Sequence, residues 1–205
     1  MSKHPTAPVK DPRRRVGSRS TSWQWIAAGA GVVALLAASF VVPRLFERGA
    51  PGATADRPAS GPAPSFAERD AVTGDPVSSA TLRGRNVLLF FSEGVMCQAC
   101  FEQIQSLQQR ADELERRGLV LVNITTDPPS ALRQAAAAYG ITTPLISDED
   151  RDMSRAYDVL GQGMHPDTAG HTFVLLDRTG RIRWRNDYQT MFVQPETLLA
   201  DIPRA

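Results

Sequence analysis

The sequence predicts a layered α/β domain built on a mixed sheet, and three observations predict it. Runs apolar on both faces, as strands buried between helices are, alternate with segments of helical periodicity. The alternation repeats along the second half of the chain. The last two extended runs flank a short Arg-Thr-Gly turn, which adds an antiparallel hairpin at the end.

Each element follows in order. "NVLLFF" (86–91) reads as a central strand. Residues 97–117 read as a helix, with Phe101, Ile104, Leu107, Ala111 and Leu114 at helical spacing and Gly118 closing it. "LVLVNIT" (119–125) is a second buried strand. "PPSALRQAAAAYG" (128–140) is a helix opened by prolines and closed by Gly140. "PLIS" (144–147) is a short extended piece, and 148–161 reads as a further helix. "HTFVLLD" and "RIRWRND" form the hairpin around 178–180, and a last helix covers 195–202.

The region before this domain is of another kind. Residues 1–22 carry Lys3, Lys10, Arg13, Arg14, Arg15 and Arg19 against Asp11 and read as a disordered basic tail. Residues 25–42 are uncharged and, at about 1.5 Å per residue, long enough as a helix to cross a hydrocarbon core. With Trp23 and Trp25 at one end, 23–43 is expected to be a transmembrane helix. The basic tail would stay in the cytoplasm and the rest of the chain outside it. Residues 44–65 read as a Pro/Ala/Gly-rich linker, and 66–205 as the folded domain. From Gly49 onward acids outnumber bases by about five, a mildly acidic body without the basic stripe that nucleic acid binding needs.

The only cysteines, Cys97 and Cys100, lie where a buried strand hands over to a helix. A sulfur in the opening turn faces free N–H groups and the positive end of the helix dipole, which stabilise a thiolate. A second thiol three residues on shares its face and can close a ring with it. That is the arrangement thiol–disulfide exchange requires: one sulfur attacks, the other resolves. Two further readings stay open. A structural staple would constrain few residues. Copper(I) suits soft sulfur, and Met96 adjoins the pair; tetrahedral zinc would need ligands that two cysteines do not supply. Glu93, four residues before Cys97, is either a proton relay or a solvated loop carboxylate, and His171 stabilises a thiolate, ligates a metal or, as a lone histidine without a partner, does neither.

The ordered set of strand, CxxC, helix, strand, helix and "HTFVLLDRTGRIRW" resembles the thioredoxin-like superfamily. The resemblance is to its redoxin branch of peroxiredoxins and membrane-tethered thiol–disulfide oxidoreductases. It covers 66–205 and is strongest over "TTDPPSALRQAAAAYGITTPLISDEDRDMSRAYDVLG". It implies a three-layer fold with a central mixed sheet, here preceded by one transmembrane helix. It implies catalysis by Cys97 and Cys100 without a bound cofactor or metal. The substrates would be protein disulfides or dithiols, served by a membrane or extracytoplasmic electron partner.

Departures from the family narrow the expectation. Peroxiredoxins place Thr or Ser three residues before the peroxidatic cysteine and Arg three before the Phe of the "TF" strand; Gly94 and Gly170 stand there. Thioredoxin-like oxidoreductases place Trp before the motif, Pro before its second cysteine and a cis proline opposite; here stand Met96, Ala99 and, in the last slot, Gly170. Disulfide exchange is therefore expected over peroxide reduction. Two alternatives stay open: a copper chaperone of the Sco type, with ligands Cys97, Cys100 and His171, although that family spaces its cysteines one residue wider, and a peroxiredoxin-like peroxidase.

Overall fold

The structure is a computed structural model and describes residues 60–204. The strands are β1 (Gly61–Pro62), β2 (Ala67–Arg69), β3 (Pro76–Ser78), β4 (Asn86–Phe91), β5 (Leu119–Thr125), β6 (Leu145–Ser147), β7 (His171–Leu176) and β8 (Arg181–Tyr188). The helices are α1 (Gln98–Gln108), α2 (Ala111–Arg116), α3 (Pro129–Tyr139), α4 (Asp152–Ala156) and α5 (Pro195–Asp201). Six strands form one mixed sheet in the order β1-β8-β7-β4-β5-β6, and β2 and β3 pair separately. β5 runs parallel to both β4 and β6, whereas β7 is antiparallel to β4 and to β8.

Strand alternation divides the core into two layers. Leu88 and Phe90 of β4 pack with Phe101, Ile104 and Leu107 of α1, Leu132 of α3 and Leu198 of α5. Val87, Leu89 and Phe91 point the other way, toward Met153, Tyr157 and Val77. All six residues of β4 are buried, which is why its sequence shows no polar face. The mixed α/β architecture is the one the alternation of runs predicts.

Three boundaries differ from the sequence reading. Gly61 and Pro62, read as linker, pair with Ile182 and Arg181, so ordered structure begins before Phe66. The helix expected over 97–117 is two helices. Gln108 ends the first by turning its side chain outward, donating to the Gly140 carbonyl at 2.8 Å and accepting from the Thr142 N–H at 2.7 Å. The helix expected over 148–161 shrinks to α4. Arg151 takes a left-handed conformation just before it, and Asp148 accepts from the N–H groups of Met153 and Ser154 at 2.9 and 2.7 Å. The expected transmembrane helix over 23–43 lies outside the described residues; among those described, no helix is long and apolar enough to cross a membrane.

Candidate active site

The site grows out of the C-terminal end of β4. Ser92 continues toward β5, its N–H donating to the Ile124 carbonyl at 3.1 Å, and the chain then turns at Gly94. Gly94 has φ +85, and an added Cβ would lie 1.8 Å from Oδ2 of Asp127, so neither conformation nor space admits a side chain. The same Oδ2 accepts from the Val95 N–H and from the Thr125 hydroxyl, each at 2.9 Å. Asp127 thus shapes the loop that carries the cysteines. Sequence reasoning gave it no role; the signal available was its place two residues past the end of β5, a buried strand parallel to β4.

Cys97 is the N-cap of α1, one position ahead of the first turn proper, with φ −110 and ψ 93. Its Sγ accepts the Cys100 N–H at 3.2 Å, the contact that a serine or aspartate oxygen makes at other helix starts. Cys97 and Cys100 are joined in a disulfide with Cα atoms 5.3 Å apart. Cys97 keeps 7% of its surface accessible and Cys100 none, so a partner can meet only the first sulfur. Val95, Met96 and Met164 are three of the four large apolar side chains exposed among the described residues; two of them immediately precede Cys97.

The supporting residues fall differently from expectation. Glu93 is buried, not a solvated loop carboxylate. Its Oε1 accepts the Met164 N–H, and a Cβ on Gly163 would approach that oxygen to 2.2 Å. Glu93 therefore fastens the 161–168 loop to the cysteine loop, bringing exposed Met164 with it. Gly170 is buried against the Gln162 backbone: an added Cβ would stand 2.7 Å from its carbonyl carbon and 2.8 Å from its oxygen. Neither an arginine nor a proline fits in that slot.

His171 begins β7 and is 1% exposed, its ring against Phe90 at 4.7 Å, Phe173 at 5.4 Å and Tyr188 at 6.3 Å. Neither ring nitrogen has a hydrogen-bond partner among the described residues. Burial lowers its pKa from 6.5 to about 4, so it is neutral at pH 7 and offers no positive charge to a thiolate. Among the described residues no group of three or more His, Cys, Asp and Glu side chains could hold a metal ion, so a copper chaperone's ligand set is not assembled there.

A pH dependence follows from His171. The unfolded chain takes up a proton near pH 6.5 and the folded one only near 4, so the stability lost on acidification begins at about pH 6.5 and is complete below 4. The loss reaches about 3 kcal/mol. Urea unfolding of the wild type and His171→Leu between pH 7.5 and 4 should show a steeper decline for the wild type; parallel declines contradict it.

The sequence profile of the AhpC/TSA family matches residues 59–185, which run from β1 into β8 and include both cysteines. The chain belongs to the AhpC/TSA family. This family member is 30% identical over 124 residues to peroxiredoxin Bcp of Escherichia coli K12, covering 58% of this chain and 79% of that protein. It is 34% identical over 100 residues to a peroxiredoxin-named protein of Mycobacterium tuberculosis H37Rv, covering 49% of this chain and 63% of the other, less than two thirds of its length. Among solved structures, peroxidoxin BcpB of M. tuberculosis superposes with a TM-score of 0.60 at 21% identity, over 69% of this chain and 94% of that one. Enterococcus faecalis AhpC does so with 0.61 at 17%, over 69% and 87%. These structures share the mixed α/β fold of this chain, and the family match with the Bcp relative bears out the redoxin resemblance.

Proposed function

We propose that this AhpC/TSA member is a thiol–disulfide oxidoreductase that exchanges disulfides with client proteins outside the cytoplasm, held at the membrane by residues 23–43. The observation that carries the reading is the Cys97–Cys100 disulfide at the opening of α1, with Cys97 outermost. In the reduced protein the Cys97 thiolate attacks a client disulfide, forming a mixed disulfide and releasing one client thiolate. Cys100, once deprotonated, attacks Sγ of Cys97, re-forms the intramolecular bond and releases the second client thiolate. Two electrons pass to the client; the same steps in reverse oxidise a dithiol. The helix N-terminus stabilises Cys97 as the attacking thiolate, and as the leaving group when the steps run in reverse. The exposed apolar side chains beside Cys97 suit a polypeptide partner.

A peroxidase is the second reading, favoured by relatives named peroxiredoxins. There the Cys97 thiolate would attack the O–O bond, releasing hydroxide and leaving a sulfenic acid, and Cys100 would expel water to close the same disulfide. Against it, Gly94 and Gly170 offer no hydroxyl or guanidinium to polarise the peroxide, and neither slot has room for one. Stopped-flow measurement on the reduced full chain separates the two. The account expects fast oxidation by a protein disulfide and a hydrogen peroxide rate near that of a free thiol. A peroxide rate orders of magnitude higher, with no reaction with the protein disulfide, reverses the assignment.

A further inference from the structure

The folded domain is mildly acidic when counted along the chain, yet its cations are not spread evenly. Arg83, Arg85, Arg116, Arg178, Arg181, Arg183 and Arg204 are all exposed, and no ion pair among the described residues holds any of them. Folding brings them to one end. Arg178, Arg183 and Arg204 line one cavity. Arg204 also lines a second with Arg116 and Arg117, and Arg178 a third with Arg85. Arg83 donates to the Thr179 carbonyl at 3.1 Å, and Arg181 pairs with Pro62. The acids beside them are few. Asp177 lines the cavity of Arg178, Arg183 and Arg204, attracts Arg183 and is engaged by Thr179 and by the Arg181 N–H, Glu113 pairs with Arg117, and Glu115 lines the Arg85 cavity.

This end is the one from which β4 starts, whereas the disulfide lies beyond its finish, about 20 Å away along a six-residue strand. Acids outnumber bases at the far end, where Asp127 follows β5 and Asp148, Glu149 and Asp150 follow β6, with Arg69 and Arg133 beside Glu149 and Asp150 and Arg155 paired to Asp152. The domain is therefore electrically polar along its strands, and a uniformly charged surface would orient it. The linker joins the sheet at Gly61 and Pro62, on the basic side.

We infer that this arginine face docks on an anionic phospholipid surface and holds the Cys97–Cys100 end away from the bilayer, toward clients. Lipid as the partner rests on the membrane-tethered reading above. Charge complementarity and the position of the linker favour it. The three cavities carry no aromatic lining on which nucleic acid bases would stack.

The test uses the full chain in nanodiscs of neutral phosphatidylcholine and in discs with about 30 mol% phosphatidylglycerol. Hydrogen exchange of segments 81–86 and 177–183 should slow at least about fivefold in the anionic discs, and recover in about 0.5 M NaCl. Arg178→Glu/Arg183→Glu/Arg204→Glu should abolish the protection, and the milder triple Gln variant should weaken it while leaving exchange of β4 and β5 unchanged. Equal exchange in both lipids, protection that survives the triple variants, or stronger protection by duplex DNA in neutral discs overturns the inference. Flotation with neutral vesicles at high salt reports on the membrane segment alone. If that fails while salt-sensitive, arginine-dependent binding to anionic vesicles persists, the tether reading falls and the docking face stands.

Discussion

Cys97→Ser removes turnover of a protein disulfide by about a thousandfold or more, because the one remaining thiol, Cys100, is fully buried and cannot start the exchange. The variant should still fold. A serine oxygen is a good N-cap and can accept the Cys100 N–H that Sγ accepts now. Losing the disulfide releases a loop of only a few residues, worth about 2 kcal/mol of unfolded-state entropy. Cys100→Ser separates the two roles. Cys97 still attacks, but nothing resolves the product, so a mixed disulfide with the client accumulates and survives until an added thiol releases it. Non-reducing electrophoresis with mass mapping reads both results. Full turnover by Cys97→Ser, or mixed disulfides at Cys100 in place of Cys97, would contradict the assigned order.

Gly94→Thr is the second large effect. The substitution installs the residue type that peroxiredoxins carry at this position, and the structure gives it no room. The new Cβ would overlap Asp127 Oδ2, and a β-branched residue at φ +85 is strained whatever the space. Together these cost about 3 kcal/mol or more, a fall in Tm on the order of 10 °C for a domain of this size. Peroxide reactivity should not rise. Pairing the change with Asp127→Ala removes the overlap but not the strain, so the double variant should recover part of the loss, a coupling that a double-mutant cycle measures. A stable Gly94→Thr protein that reduces peroxide quickly would show that the loop rearranges and that the second reading holds.

The parts of the fold legible in the sequence are those where burial dictates composition. β4 and β5 match their expected runs residue for residue, since a strand covered on both faces favours apolar side chains throughout, with Asn86, Asn123 and Thr125 as the buried exceptions. What escaped was set by contacts distant in sequence. β2 and β3 have three residues each and a single buried apolar side chain, Val77, too little to make a pattern. β1 is Gly-Pro within a low-complexity stretch and is recognisable only through its pairing with β8. The truncation of α4 comes from Asp148 reaching forward to two N–H groups, which helical periodicity does not encode.

The site divides along the same line. The cysteine pair and its helix were readable because strand, spacing and helix are all local. Asp127 under Gly94, Glu93 on the Met164 N–H and Gly170 against Gln162 are not, since each depends on a loop arriving from elsewhere. His171 was placed on the right strand, but its environment is aromatic and unpaired, which makes it a neutral core residue with a stability cost in acid. The arginine face is the extreme case. Its members come from four separated stretches of the chain, and no count along the sequence reveals it.

The central claim, that the opening of α1 makes Cys97 a reactive thiol with Cys100 as its resolving partner, is tested most directly by alkylation of the fully reduced protein as a function of pH. Label should fall on Cys97 first, with a rate midpoint well below the 8.5 or so of a free cysteine, while Cys100 stays protected by burial. A midpoint at or above about 8.5, or preferential labelling of Cys100, would contradict it.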